Sequence, residues 1–119
     1  MIHITCFGAL PYKRFRKGPV YSIALTHPKN VGVDGVVEVL RPTWDMVRGF
    51  QRRQISEEKY TAMYRKLMVA RWPAVKRWLD SLDSNDLYLC CWEPTGFCHR
   101  FLVSKLIRKF RPELEVRVS

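Results

Sequence analysis

The residues best suited to chemistry lie together in residues 87–107, which read LYLCCWEPTGFCHRFLVSKLI. Adjacent cysteines, Cys90 and Cys91, end an apolar run that is typical of a strand buried on both faces. A short break with a proline and a glycine follows, and residues 98–110 then have the apolar spacing of a helix. Because ligands of α/β proteins commonly bind where a strand ends and a helix begins, this loop is the first candidate site.

The first chemistry that this loop favours is the binding of an anion. The N–H groups of a helix's first turn have no partner within the helix, and with the helix dipole they attract phosphate. We predict an anion site at the loop after the strand 87–91 and the N-terminus of the helix from 98. Its residues would be Thr95, Gly96, His99 and Arg100, the last as a clamp on phosphate oxygens.

Three other interpretations of the same residues stay open. In an enzyme acting on a nucleotide or nucleic acid, Glu93 would be the acid, base or nucleophile, assisted by Cys98 or His99. A zinc site would draw on Cys6, Cys91, Cys98 and His99, but the paired ligand spacing of structural zinc is missing, so no metal is predicted. In the third interpretation, the cysteines are inert and pack as small hydrophobic side chains.

The charge balance indicates the kind of partner. Lysine and arginine number 21 against 11 acidic residues, a formal net charge of +10. Such an excess attracts polyanions and speeds their encounter, so DNA, RNA or a nucleotide is the expected partner. An adaptor that docks an acidic protein is the further alternative, and no cofactor is predicted.

A second candidate surface is the segment 11–19, which is bounded by proline and glycine and therefore predicted to be a loop. Cations on phosphates and aromatic rings on unpaired bases are the usual means of holding a single strand. The predicted nucleic-acid surface consists of Tyr12, Lys13, Arg14, Phe15, Arg16 and Lys17, extended by Arg52, Arg53, Arg108, Lys109 and Arg111. The plain alternative is a solvated charged loop.

Periodicity predicts the elements that position these residues. Strands are expected at 2–6, 20–25, 36–40, 87–91 and 114–118. Helices are expected after the N-caps Thr43 and Ser56, with Pro73 dividing the longer one near Arg71 and Trp72, and over 98–110. The aromatic stripe of the long helix is assigned to the core. The order predicts one α/β domain over 1–119, with three layers and a mostly parallel sheet of 4–5 strands and 3–4 helices.

Three of these motifs resemble the domain of unknown function four-eight-eight family. They are Ser22-Ile23, the Leu-Arg-Pro at 40–42 with the Ile-Ser-Glu-Glu-Lys-Tyr at 55–60, and the strand end followed by Glu93 and Cys-His-Arg at 98–100. The resemblance covers roughly residues 20–107 and does not include the basic loop. It implies a small Rossmann-like fold and a site at Glu93, Cys98, His99 and Arg100, but no reaction.

The sequence also favours a compartment. The first ten residues lack the basic start and apolar stretch of a secretory signal, and no apolar run approaches the roughly 20 residues of a membrane span. Neighbouring cysteines on a strand point to opposite faces and do not suit a disulfide framework. We therefore expect a cytoplasmic protein with reduced thiols and no membrane partner.

Overall fold

The computed structural model describes residues 1–92 and 97–119, which contain one parallel sheet and four α-helices. The strands are β1 (Ile2–Cys6), β2 (Val20–Ser22), β3 (Gly35–Val36), β4 (Leu87–Cys91) and β5 (Val116–Val118). The helices are α1 (Trp44–Gln51), α2 (Glu57–Ala70), α3 (Trp72–Ser81) and α4 (His99–Phe110). The strand order is β3-β2-β4-β1-β5, and every described pairing is parallel. The predicted α/β fold class is confirmed.

The sheet is buried on both faces at its centre. On one face, the register aligns Ile4 with Leu89 and Cys6 with Cys91, and the first residues of α4 pack against this face. On the other face, Thr5 lies beside Cys90, and both are buried. The chain between β1 and β2 approaches that second face, where the Lys17 N–H donates to the Tyr88 hydroxyl. The described part of this third layer has short 3₁₀ turns in place of an α-helix.

Gly18 allows the third layer to pass close to the sheet. A Cβ atom at this position would lie 2.0 Å from the main-chain oxygen of Asp86, immediately before β4. Any larger residue would therefore push the segment that carries the basic loop away from the sheet.

The helix boundaries follow the sequence signals closely. Thr43 caps α1 by accepting from the Met46 N–H, and Ser56 caps α2 by accepting from the Lys59 N–H. Helix α2 ends at Ala70 and α3 begins at Trp72, so the predicted division at Pro73 is confirmed. Pro73 lies in the first turn of α3, where the missing N–H costs no hydrogen bond.

The predicted strand 36–40 is wrong. Only Gly35–Val36 pairs with β2, and Glu38–Leu40 forms a 3₁₀ turn. The carbonyl groups there accept hydrogen bonds from side chains: Arg71 donates to the main chain between residues 38 and 41, and the Tyr64 hydroxyl donates to Leu40 at 2.6 Å. These bonds turn the chain toward α2 and α3 and end the sheet at its edge.

The remaining boundary differences are small. Strand β2 ends at Ser22, three residues earlier than predicted, and β5 begins at Val116, two residues later. Helix α4 begins at His99, with Cys98 as an extended N-cap residue that makes no capping bond through its side chain. No helix in the described residues is long and apolar enough to cross a membrane.

Candidate functional site

A cavity of about 400 Å³ lies where β2 and β4 end, between these strands and helices α1, α2 and α4. We call it the tryptophan cavity, after the two tryptophans in its wall. Its lining comes from three sources: the chain after β2, helices α1 and α2, and the chain from the end of β4 into α4. The residues are Ala24, Leu25, Thr26, Pro42, Trp44, Val47, Phe50, Gln51, Tyr60, Trp92, Phe97, Cys98 and His99.

Five of the thirteen lining residues carry large aromatic rings. Phe97 lies 5.4 Å from both Phe50 and Tyr60, measured between ring centroids, in the tilted and edge-to-face arrangements that aromatic pairs prefer. The Trp92 indole N–H donates to the Thr26 carbonyl at 2.7 Å and fixes the ring across the end of β2. The Arg48 guanidinium lies over the Trp44 ring, 5.4 Å from the ring centroid. The cavity therefore offers flat apolar surfaces with a cation beside one of them.

His99 is a buried residue of this wall, and its proton position follows from its partner. Its Nε2 lies 2.8 Å from the Ile23 carbonyl oxygen, and a carbonyl only accepts, so Nε2 carries the proton. In the neutral ring Nδ1 is then a proton acceptor, and it lies 3.7 Å from the Cys98 sulfur. The structure thus brings together the two predicted residues Cys98 and His99, with the imidazole oriented by the end of β2.

Arg100 does not point into solvent. Only 2% of its surface is exposed, and its guanidinium lies 3.4 Å from the Cys91 sulfur. Its Nε donates to the main-chain oxygen of Ser119 at 3.2 Å, and its plane lies over the Phe101 ring. These contacts tie the start of α4 to β4 and to the end of the chain. The expected phosphate clamp is therefore a guanidinium already engaged with neighbouring protein groups.

The Cys98 thiol is held in its protonated form. Its pKa is raised, chiefly by the hydrogen bond with the Cys91 sulfur and then by burial, while His99 opposes the shift. The lowering that a helix N-terminus commonly gives a thiol is thus outweighed here.

This shift predicts how the thiol reacts with alkylating reagents. Because the thiolate is the nucleophile, alkylation of Cys98 by iodoacetamide should be slow at neutral pH. Below the thiol's pKa, the rate should rise about tenfold per pH unit. Mass spectrometry of timed samples between pH 7 and about 9 measures the rate, and a rate that is fast and constant across this range would contradict the shift.

The other members of the predicted site fall in two groups. Glu93, Thr95 and Gly96 lie outside the described residues. Cys6 and Cys90 are buried core residues, and Cys90 faces the side of the sheet opposite Cys91. In the described ranges, no cluster of three or more histidine, cysteine or acidic side chains is arranged to hold a metal ion.

The predicted nucleic-acid surface is mostly exposed. Lys13–Phe15 forms a 3₁₀ turn that presents the rings of Tyr12 and Phe15 to solvent, 78% and 60% exposed. The Arg14 guanidinium lies 4.8 Å from the centroid of the Phe15 ring. Arg16 differs from its neighbours, because its guanidinium donates to the carbonyl groups of Pro11 and Gly32. We call residues 12–17 the aromatic–basic turn.

Several arginine side chains bond to main-chain carbonyl groups and stabilise the fold. The amino-acid composition alone could not show this. Arg71 binds the main chain of residues 38–41, Arg41 binds the Leu25 carbonyl, and Arg111 binds those of Leu79 and Leu82. Of the predicted extensions of the basic surface, Arg111 and Arg108 donate to main-chain oxygens, while Arg52 and Arg53 are exposed just after α1. The net charge therefore overstates the number of cations available to a partner.

A larger cavity, about 710 Å³, lies at the opposite end of the sheet. Its wall includes Glu38, Asp83 and Asp86 beside apolar residues such as Trp78. A hydrogen bond with His3 lowers the pKa of Asp86, so this carboxylate is charged at neutral pH. Acidic groups repel phosphate, and the amino ends of parallel strands are not where α/β proteins commonly bind ligands. Size alone therefore does not make it the better candidate for an anionic ligand.

Comparison with known proteins gives no family: the chain matches no family model, no curated protein and no solved structure. The resemblance to the domain of unknown function four-eight-eight family stays a prediction, and function has to be argued from the site.

Proposed function

We propose that the chain binds single-stranded nucleic acid, or the nucleotide that is its unit, with one base in the tryptophan cavity. The observation that carries the proposal is the wall of this cavity. Trp44 and Trp92 are 48% and 45% exposed, although large aromatic side chains are usually buried. Phe50, Tyr60 and Phe97 lie deeper in the same wall.

The dimensions and chemistry of the cavity support a base as the ligand. Its volume lies within the range of roughly 300–1,000 Å³ common for small-molecule sites. A base has two flat faces and a polar edge, and stacking on an aromatic side chain contributes roughly 1–3 kcal/mol per base. Gln51 and Thr26 are polar residues of the wall, and the Thr26 hydroxyl accepts a hydrogen bond from the Trp92 indole N–H at 2.9 Å.

Exposed cations support a phosphorylated ligand. Arg48 lies against Trp44, and Arg52 and Arg53 follow on the same helix end. The aromatic–basic turn belongs to the segment that approaches the other face of the sheet, and it adds Lys13, Arg14 and Lys17 as exposed cations. Alternation of cations with exposed rings is the pattern of proteins that hold unpaired bases along a phosphate backbone.

Removing one ring tests the proposal. In Trp44→Ala, the dissociation constant for a fluorescent single-stranded oligonucleotide should rise roughly tenfold, because a stacking surface is lost. Trp44→Phe retains a ring and should bind nearly as well. Fluorescence anisotropy at one salt concentration gives the dissociation constants of the natural chain, Trp44→Ala and Trp44→Phe.

Phe110→Ala is the matched control. Phe110 is also a large, exposed ring (43%), next to Lys109, but it packs on Trp72 at the far end of α4. Its loss should leave the dissociation constant unchanged. Equal weakening by Trp44→Ala and Phe110→Ala, or no weakening by either, would remove the cavity from the proposal.

A second candidate is an enzyme that acts on the bound nucleotide. It is favoured by one observation, the Nδ1 atom of His99 beside the Cys98 sulfur in the cavity wall. For an enzyme, Glu93→Gln should abolish turnover of the ligand while its affinity persists. A binding protein has no turnover to lose, so incubation with labelled nucleotides and oligonucleotides separates the two candidates.

A further inference from the structure

The thiols of Cys91 and Cys98 are in direct contact. Their sulfur atoms lie 2.9 Å apart, which exceeds the S–S bond length of about 2.05 Å by roughly 0.9 Å. Cys91 ends β4 and Cys98 is the N-cap residue of α4, so the pair joins the end of β4 to the start of α4. A small movement at either end would bring the sulfur atoms to bonding distance.

The pair has a cation on one side and a proton acceptor on the other. The Arg100 guanidinium lies 3.4 Å from the Cys91 sulfur, and the Nδ1 of His99 lies 3.7 Å from the Cys98 sulfur. A cation stabilises a thiolate, and an imidazole nitrogen accepts the proton of a thiol that attacks. Cys90, the sequence neighbour of Cys91, faces the opposite side of the sheet and does not meet Cys98.

The sulfur atoms of Cys91 and Cys98 differ in whether they can be reached from the tryptophan cavity. Cys98 is 4% exposed and lies in the wall of the tryptophan cavity, whereas Cys91 has no exposed surface. A small reagent that enters the cavity therefore meets Cys98 first. A sulfenic acid formed on Cys98 would therefore have a second thiol next to it that can resolve it.

We propose that Cys91 and Cys98 are a redox-reactive dithiol, which a small peroxide entering the tryptophan cavity oxidises to an intramolecular disulfide. The proposal is independent of the nucleic-acid ligand. The oxidation takes two steps, which use the thiols of Cys91 and Cys98 and the imidazole of His99.

In the first step, Cys98 gives its proton to the Nδ1 of His99, and its sulfur attacks one oxygen of hydrogen peroxide. Because the pKa of Cys98 is raised, this step is slow at neutral pH and becomes faster as the pH rises. The O–O bond breaks, the departing oxygen takes the proton and leaves as water, and Cys98 becomes a sulfenic acid. In the second step, the Cys91 sulfur attacks the Cys98 sulfur, and the S–O bond breaks. The hydroxide leaves with the Cys91 proton as water. Two thiols and one peroxide thus give one disulfide and two molecules of water.

The test treats the reduced chain with hydrogen peroxide, blocks the remaining thiols and digests with chymotrypsin. Cleavage after Trp92 and Phe97 separates the two cysteines, so a disulfide appears as a linked pair of peptides. We expect a link between Cys91 and Cys98 with the mass loss of two hydrogen atoms. Dithiothreitol should reverse it, and fragmentation of the linked peptide distinguishes Cys91 from Cys90.

Three variants sharpen the test. Cys90→Ala removes an equally buried thiol of the same strand and should form the link at an unchanged rate. Cys91→Ala and Cys98→Ala should form none, and in Cys91→Ala the sulfenic acid should persist on Cys98 and react with dimedone. If circular dichroism shows that either of these variants does not fold, the disulfide mapped in the natural chain and in Cys90→Ala still tests the proposal. No link, or one that involves Cys90 or Cys6 instead, would overturn the proposal.

Discussion

Neutralising the exposed cations of the aromatic–basic turn is expected to weaken binding of single-stranded nucleic acid roughly 100-fold near 0.1 M salt. The variant is Lys13→Ala, Arg14→Ala and Lys17→Ala combined. Each cation that contacts a phosphate releases counterions, so the slope of log affinity against log salt should become shallower by about 0.7 per cation, or about 2 in total. Salt titrations followed by fluorescence anisotropy give both quantities.

Arg16 is left unchanged in this variant for a structural reason. It binds the carbonyl groups of Pro11 and Gly32, so its removal would disturb the shape of the turn as well as its charge. The control is Lys59→Ala, Arg65→Ala and Lys66→Ala combined, which removes the same charge from exposed residues of α2. An equal effect of both triple variants would mean that net charge, and not this turn, determines binding.

Strong loss of stability at alkaline pH is the second large effect that we expect. Burial raises the pKa of Cys90 from its usual value near 9 to about 12, and none of this residue's surface is exposed. The folded state therefore favours the neutral thiol, and its contribution is complete below about pH 9. Between pH 9 and 12 it is lost at about 1.4 kcal/mol per pH unit, or roughly 4 kcal/mol in total.

Two other groups act in the same direction. The pKa of Tyr64 is raised by burial and by its neighbour Tyr60, and that of Cys98 is raised by Cys91 and by burial. Urea unfolding at stepped pH measures the free energy of unfolding. In Cys90→Ala, the slope above pH 9 should be shallower by about 1.4 kcal/mol per pH unit. An unchanged slope would show that Cys90 does not titrate as its burial requires.

Those elements that depend on local signals were predictable from the sequence. The caps at Thr43 and Ser56, the division at Pro73 and the buried strand 87–91 each follow from residues within one turn or one strand. The strand predicted at 36–40 failed because its carbonyl groups bond to Arg71 and Tyr64, which lie more than twenty residues away. A short segment of sequence does not show which distant side chains will bond to it.

The candidate site was only partly predictable for the same reason. The position of Cys98 and His99 beyond a buried strand was correctly expected, because strand order and helix spacing are visible in the sequence. The cavity was not predicted. Tyr60, in the aromatic stripe assigned to the core, is indeed buried, but no local pattern connects it with Trp44 and Phe50 on α1. They form a wall with Trp92 because α1 and the end of β2 converge on β4, which depends on tertiary packing.

The measurement that tests the central claim most directly is binding to single-stranded DNA, single-stranded RNA and duplex DNA of equal length. Fluorescence anisotropy would follow each through a salt titration, with free nucleotides as competitors. We predict tighter binding to a single strand than to the duplex, a steep loss of affinity with salt, and competition by at least one nucleotide. Equal affinity for all three polymers without competition, or no binding at low salt, would contradict the claim that the tryptophan cavity holds an unpaired base.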